Sequence, residues 1–222
     1  KSKGMEYKKT ALNTVKRGAK KAAYDKESIY KILDATEICN VAFNIEGRAA
    51  TQPINFGRRG DKLYIHGSLK NRMAQAIIDA GETCISVMLL DSMKLTRSAF
   101  HHSVNFRSVV VFGKVRELHS DEEKLVGLES IINHFVPKRW EHCRKPNEKE
   151  LTATKVVEIS IEMASAKIAD KPPTDNTEDL DLDYWSGEIP VKSICGYPEP
   201  VEGLKEGLSI PNHVLDFYKS KS

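Results

Sequence analysis

The chain has 222 residues, 40% hydrophobic and 29% charged, with a formal net charge of +3. That length buries roughly 70% of the unfolded surface, enough for one substantial core, and so small a net charge does not mark a strong polyanion binder. No run reaches the roughly 18 apolar residues of a membrane span, and the N-terminus lacks the apolar centre of a signal peptide; a soluble cytoplasmic protein with no membrane partner is expected.

Charge is unevenly placed. Lys1 to Glu27 carries nine Lys or Arg against three acids and few large apolar residues, so residues 1–24 read as a solvated basic arm before a single domain over residues 25–222. The arm has neither interleaved aromatics nor a recognised nucleic-acid motif, which argues against such a partner.

Asp25 is a good cap for a short helix that places Ile29, Ile32 and Leu33 at helical spacing. The runs "ICNVAFNIEG", "RAATQPINFGRRG" and "KLYIHG" follow, separated by Glu46-Gly47 and Arg59-Gly60-Asp61, which are hairpin signals. They read as an antiparallel meander. In "LKNRMAQAIIDAG", Leu69, Met73, Ala76, Ile77 and Ala80 repeat at helical spacing before a Gly81 stop.

Two longer strands come next, "TCISVMLLDSMKLT" and "RSVVVFGKVREL", then a helix opened by a Ser120–Glu123 capping box and ended before Pro137. "KVVEISIEMASAKIA" returns to strand alternation. Residues 170–183 carry six acids against one Lys and read as a solvated linker, after which "YWSGEIPVKSI" docks back on the body. Short strands broken by turns, with a few helices, predict a β-barrel decorated by helices.

Cys39, Cys84, Cys143 and Cys195 are far apart with no CxxC pair, so free thiols are expected, and the seven histidines show no zinc spacing, so no metal is assigned. Two stretches carry polar density. In "LYIHGSLKNRM", Ser68 would cap the next helix, Lys70, Asn71 and Arg72 would fill its first turn, and Gly67 would permit close backbone approach. Basic residues there oppose the helix dipole unless an anion joins them, so a phosphate fits. In "FHHSVNFRSVVVFG", six donors precede a core strand, with Asn105, Arg107 and Val109 on one face and Phe106, Ser108 and Val110 on the other. Unpaired, each would cost about 1 to 3 kcal/mol.

These two motifs, with "RGAKKAAYDKESIYKILD", "PKRWEHCRKPNEKEL" and "ASAKIADKPPTDNTEDLDLDYWSGEIP", resemble flavin-binding proteins related to pyridoxamine 5'-phosphate oxidase, in the branch that includes nitroimidazole-resistance-like proteins. The resemblance implies a split β-barrel, an α+β fold of antiparallel strands with peripheral helices. It also implies a homodimer with FMN in the cleft between protomers. It puts the flavin phosphate on Ser68, Asn71 and Arg72 beside Gly67, His66 near the ribityl chain or ring, and Pro53, Ile54 and Asn55 along the pyrimidine edge. His102, Asn105, Arg107 and Ser108 match the second flavin-contacting stretch, Trp185 would pack near the ring, and Lys167, in the matching "ASAK" strand, joins the cofactor-binding residues. "SLKNRM" departs from the Arg-Lys pair of pyridoxamine-phosphate oxidases. The function implied is an FMN-dependent oxidoreductase acting on a small molecule, with NAD(P)H as candidate donor. The alternatives are a non-catalytic flavin or haem carrier and a genuine pyridoxamine-phosphate oxidase.

Overall fold

The β-rich runs pair into a single antiparallel sheet whose curvature comes from register breaks in its long strands. The computed structural model describes residues 5–222. After β1 (Ala22–Ala23) and α1 (Lys26–Leu33), β2 (Ile38–Ile45) turns at Glu46-Gly47, both at positive φ, into β3 (Arg48–Asn55); that is a type of turn whose twist suits a hairpin. β4 (Gly57–Arg59) and β5 (Lys62–Ser68) form the next hairpin around Gly60. α2 (Arg72–Ala80) precedes the long pair β6 (Glu82–Leu95) and β7 (Ser103–Leu118). Then come α3 (Asp121–Phe135), α4 (Glu148–Ala153), β8 (Thr154–Ala169), β9 (Gly187–Pro190) and α5 (Asn212–Lys221).

The strand order is β3-β2-β6-β7-β8-β5-β4, with β1 added to β8 and β9 to β6. The sheet is therefore an open, split barrel and not the simple meander expected, because β2 pairs β6 and β5 pairs β8. "RAATQPINFGRRG" is divided at Phe56, fully buried, which carries the chain from one sheet edge to the other. The concave side holds the core: Cys39, Val41, Ile65, Ile85, Val109, Val111 and Ile159 close over Ile29, Ile32 and Leu33 of α1 and Met73 and Ile77 of α2. On the other side α3 covers Tyr64, Leu118 and Val156 with Ile131. Gly57 makes this approach feasible, since a Cβ there would lie 2.4 Å from the Ser130 backbone.

Both polar tails are more tightly held than their composition predicts. Tyr7 and Asn13 of the basic arm are buried, Tyr7 donates to Asp61 Oδ1 at 2.5 Å, and Asn13 donates to the Ala164 carbonyl at 3.1 Å. In the acidic linker, Asp175 is nearly enclosed and accepts from the Arg97 backbone at 2.6 Å and guanidinium at 2.7 Å. Charge counts register the solvated side chains and overlook the few buried anchors, Tyr7 and Asn13 in one tail and Asp175 in the other. All four cysteines are free, and burial pushes the Cys39 thiol up to about 12. Among the described residues no helix is long and apolar enough to cross a membrane.

Candidate functional site

The phosphate motif folds differently in detail from its sequence reading. β5 runs on through Ser68, opposite Thr154 of β8, so Ser68 ends a strand and does not cap α2. Asn71 is the cap: its Oδ1 accepts from Ala74 N at 3.0 Å, and of Lys70, Asn71 and Arg72 only Arg72 lies inside the helix. Asn and Ser are comparable caps, and strand pairing decides between them. Gly67 serves this corner, because a Cβ on it would sit 2.6 Å from Asn71 Nδ2.

The corner retains the chemistry an anion needs. Ser68, Lys70 and Arg72 are exposed, and neither cation is in an ion pair among the described residues. His66 shares a strand face with Ser68, and its Nδ1 is buried with no hydrogen-bond partner. Burial pushes the His66 imidazole below its ordinary value and holds it neutral. An orphaned nitrogen beside exposed cations fits a bound polar phosphate ester better than a closed core. Sequence reading missed Lys155, which stands opposite Gly67 and binds Gln75 Oε1 at 2.6 Å; a Lys at a strand entry carries no signal of its own.

The second stretch divides between two faces. Asn105 and Arg107 lie at the end of the core side and are engaged by protein acids. Asn105 Nδ2 donates to Glu188 Oε1 at 2.9 Å and to the Lys171 carbonyl at 3.0 Å, leaving Oδ1 buried and unpaired. Arg107 grips Asp91 through Nε at 3.0 Å and Nη2 at 2.8 Å. Asp91 falls at the register break between Leu90 and Ser92, where a bulge re-aims a side chain. The polar approach to the strand thus has local acidic partners.

Ser108 points the other way. Residues directly opposite in a ladder share a side, so Met88, Ser108 and Lys167 form one row, and Pro53, Asn40, Ser86 and Val110 form another. Asn55, opposite Ile38, belongs to the same face, whereas Ile54 turns toward buried Cys39. The face is largely bare: Met88 is 62% exposed, and Leu90, Met93, Val104 and Ile189 are also exposed. Trp185 is exposed, its ring against Gly187. An open cleft of about 750 Å³ at the edge of the face is lined by Met88, Leu90, Arg107 and Ile194. His102 stands apart on the turn before β7.

A half-open antiparallel barrel with a basic strand–helix corner and an apolar sheet face is the frame of a small cofactor-binding domain. The family model described as pyridoxamine 5'-phosphate oxidase matches residues 25–168, and the chain belongs to that family. No curated protein sequence matches it. Among solved structures it is similar to the flavocytochrome Anf3 from Azotobacter vinelandii, with 33% identity over 93% of this chain and 96% of that one, at a TM-score of 0.87. The FAD and heme binding protein from Mycobacterium smegmatis is 30% identical over 88% of this chain and 96% of that one, at 0.83. A putative 5-nitroimidazole antibiotic resistance protein from Bacteroides thetaiotaomicron is similar at 24% identity, over 66% and 86%, at 0.57.

Proposed function

We propose that the chain is a flavin-dependent redox protein that acts as a homodimer and also carries haem. The observation that carries this reading is the likeness to a flavocytochrome over 93% of the chain, well beyond the segment the family model spans. The nitroimidazole-resistance relative extends over 66% of the chain only, against 93% and 88% for the flavin-and-haem relatives, so the extent of the likeness favours that branch. The Mycobacterium relative is named for FAD, which favours FAD over the FMN that the family resemblance implies.

Ser68, the Asn71 amide and Arg72 would hold the flavin phosphate, and His66 Nδ1 would gain the partner it lacks. The row of Ser108 and Lys167 would meet the ring system, while the bare Met88 and Leu90 around it would be covered by a second copy and exclude water. When bound, the flavin supplies one- and two-electron transfer, and the protein contributes orientation and electrostatics. With Asn105 and Arg107 already held by acids, they act as supports for the face and not as flavin donors. NADH or NADPH is the candidate reductant.

The test is to purify the protein, record its visible spectrum, release the flavin and separate FAD from FMN by chromatography, then add NADPH without oxygen. A flavin spectrum with released FAD that bleaches on reduction supports the reading. A colourless protein that takes up neither flavin when offered would end it.

A further inference from the structure

α5 has one buried residue, and that residue is a histidine, His213. The other helices dock through apolar side chains, Ile29 and Leu33 on α1, Met73 and Ile77 on α2, Ile131 on α3 and Leu151 on α4. An anchor that takes up a proton near neutral pH is a different kind of fastening. Its partner is His142, exposed in the short helical turn Arg139–His142 that follows α3. The two imidazoles stack with centroids 4.3 Å apart and planes inclined by 11°.

The docked position suits a neutral ring and penalises a charged one. His213 Nε2 is buried with no hydrogen-bond partner, so a positive charge there would lack an acceptor to share it. His213 is the second residue of α5, behind Pro211, which supplies no side-chain cap, and a helix N-terminus repels cations. From the facing turn it meets His142 and Arg139, with Lys138 lining the same cleft. The acids that face it, Glu141 of the turn and Asp216 of α5, pull the other way, yet neither bonds the ring among the described residues. Burial and the charges of His142 and Arg139 prevail and hold the His213 imidazole below its ordinary value. A cleft of about 540 Å³ between the turn and α5, lined by both histidines and Phe217, brings solvent to the pair.

The rest of the fastening lies at the far end of the helix. Cys195 N donates to the Lys221 carbonyl at 3.0 Å, and Lys221 Nζ lies 3.6 Å from Glu37. Among the described residues, the backbone hydrogen bonds of residues 196–211 run only within that segment, Leu204 to Val201 and Leu208 to Lys205. The N-terminal half of α5 can therefore lift about its other end without breaking a sheet bond. Ser220, Lys221 and Ser222 at that end wall the cleft that Met88, Leu90 and Arg107 line on the outer sheet face, so a tilt of α5 reshapes it.

We propose that the His142–His213 stack is a pH-sensitive latch, which seats α5 beside the outer-face cleft near neutral pH and frees its N-terminal half on mild acidification. Because docking favours the neutral ring, it is complete above the ordinary histidine value of about 6.5 and weakens as pH falls through the lower docked value. The latch goes beyond the flavin reading and does not depend on it.

The experiment follows amide hydrogen exchange of the full-length protein, corrected for the intrinsic effect of pH on exchange. Protection of residues 212–222 is expected to be lost as pH drops from about 7.5 to 5, while Val109 to Val111 of β7 stay protected and report an intact fold. His213→Phe, which keeps a ring on His142 but cannot titrate, should hold α5 protected throughout. Unchanged protection of wild-type α5 over that range would overturn the latch, as would the same loss in His213→Phe. So would an NMR titration of the wild type that gives His213 its ordinary value of about 6.5 or higher, a measurement that needs no variant.

Discussion

Asn71 combines two duties that substitutions can separate. Its Oδ1 caps α2 while its amide lies over Gly67. Asn71→Asp preserves the cap and puts a negative charge where a phosphate would sit, so the apo melting temperature should hold while flavin retention drops. Asn71→Ala should lose about 1 kcal/mol of stability as well. For the exposed Arg72, Arg72→Ala is expected to leave the apo protein unchanged and weaken flavin binding by about 1.5 to 3 kcal/mol, the worth of a charge-assisted bond; titration of both proteins with FAD decides. This corner was readable as a polar motif, since His66 through Arg72 are contiguous. The exchange of cap between Ser68 and Asn71 was not, because it depends on β5 pairing with Thr154, 86 positions downstream of Ser68. Likewise, the donors of Asn105 and Arg107 were visible, but their partners Glu188 and Asp91 are distant in sequence. Replacing Arg107 by Met leaves Asp91 unpaired, and about 1 kcal/mol of destabilisation of the apo protein is expected, small because both groups are about a third exposed.

Alternating strands and helices with a side-chain cap matched their sequence patterns, as in α3 behind Ser120 and in the β6–β7 pair. Elements defined by tertiary docking did not. α5 has a weakly amphipathic pattern and is placed by the His142–His213 stack and by Cys195 N donating to the Lys221 carbonyl, neither of which is a local signal. The N-terminal arm is similar: Tyr7→Ala should cost about 3 kcal/mol, as for a large buried aromatic, and removing residues 1–16 should lower the melting temperature clearly. The acidic linker has its own pH signature. Burial raises the Asp175 carboxyl, but its hydrogen bonds to Ser186 and Arg97 outweigh this and hold it below the usual range. Its contribution is therefore complete above the unfolded value near pH 4 and is lost as pH falls through the folded value. Proteolysis of residues 170–183 should accelerate on acidification, and Asp175→Asn should be cleaved quickly at neutral pH as well.

For the whole molecule, the telling strand is β6, apolar on both sides although only its inner side is covered here. Two-sided apolar strands belong in layers buried on both faces, and a second copy is the partner proposed for the outer one. If a second copy covers this face, Met88→Glu is expected to give a monomer in sedimentation at micromolar concentration where the wild type gives a dimer, and to reduce flavin retention with it. A wild-type monomer that holds flavin tightly would count against a shared cleft. One feature of the same sheet bears on how the protein avoids unwanted company. β3 is a terminal strand with a neighbour on one side only, and its ladder to β2 passes through Pro53, which has no N–H to offer. Free strand edges template runaway pairing between molecules, and a mid-strand proline on such an edge discourages it. Pro53→Val would be accommodated by the fold, yet is expected to raise light scattering on storage, so that association stays confined to the sheet face only while this residue keeps the rim closed to further strands.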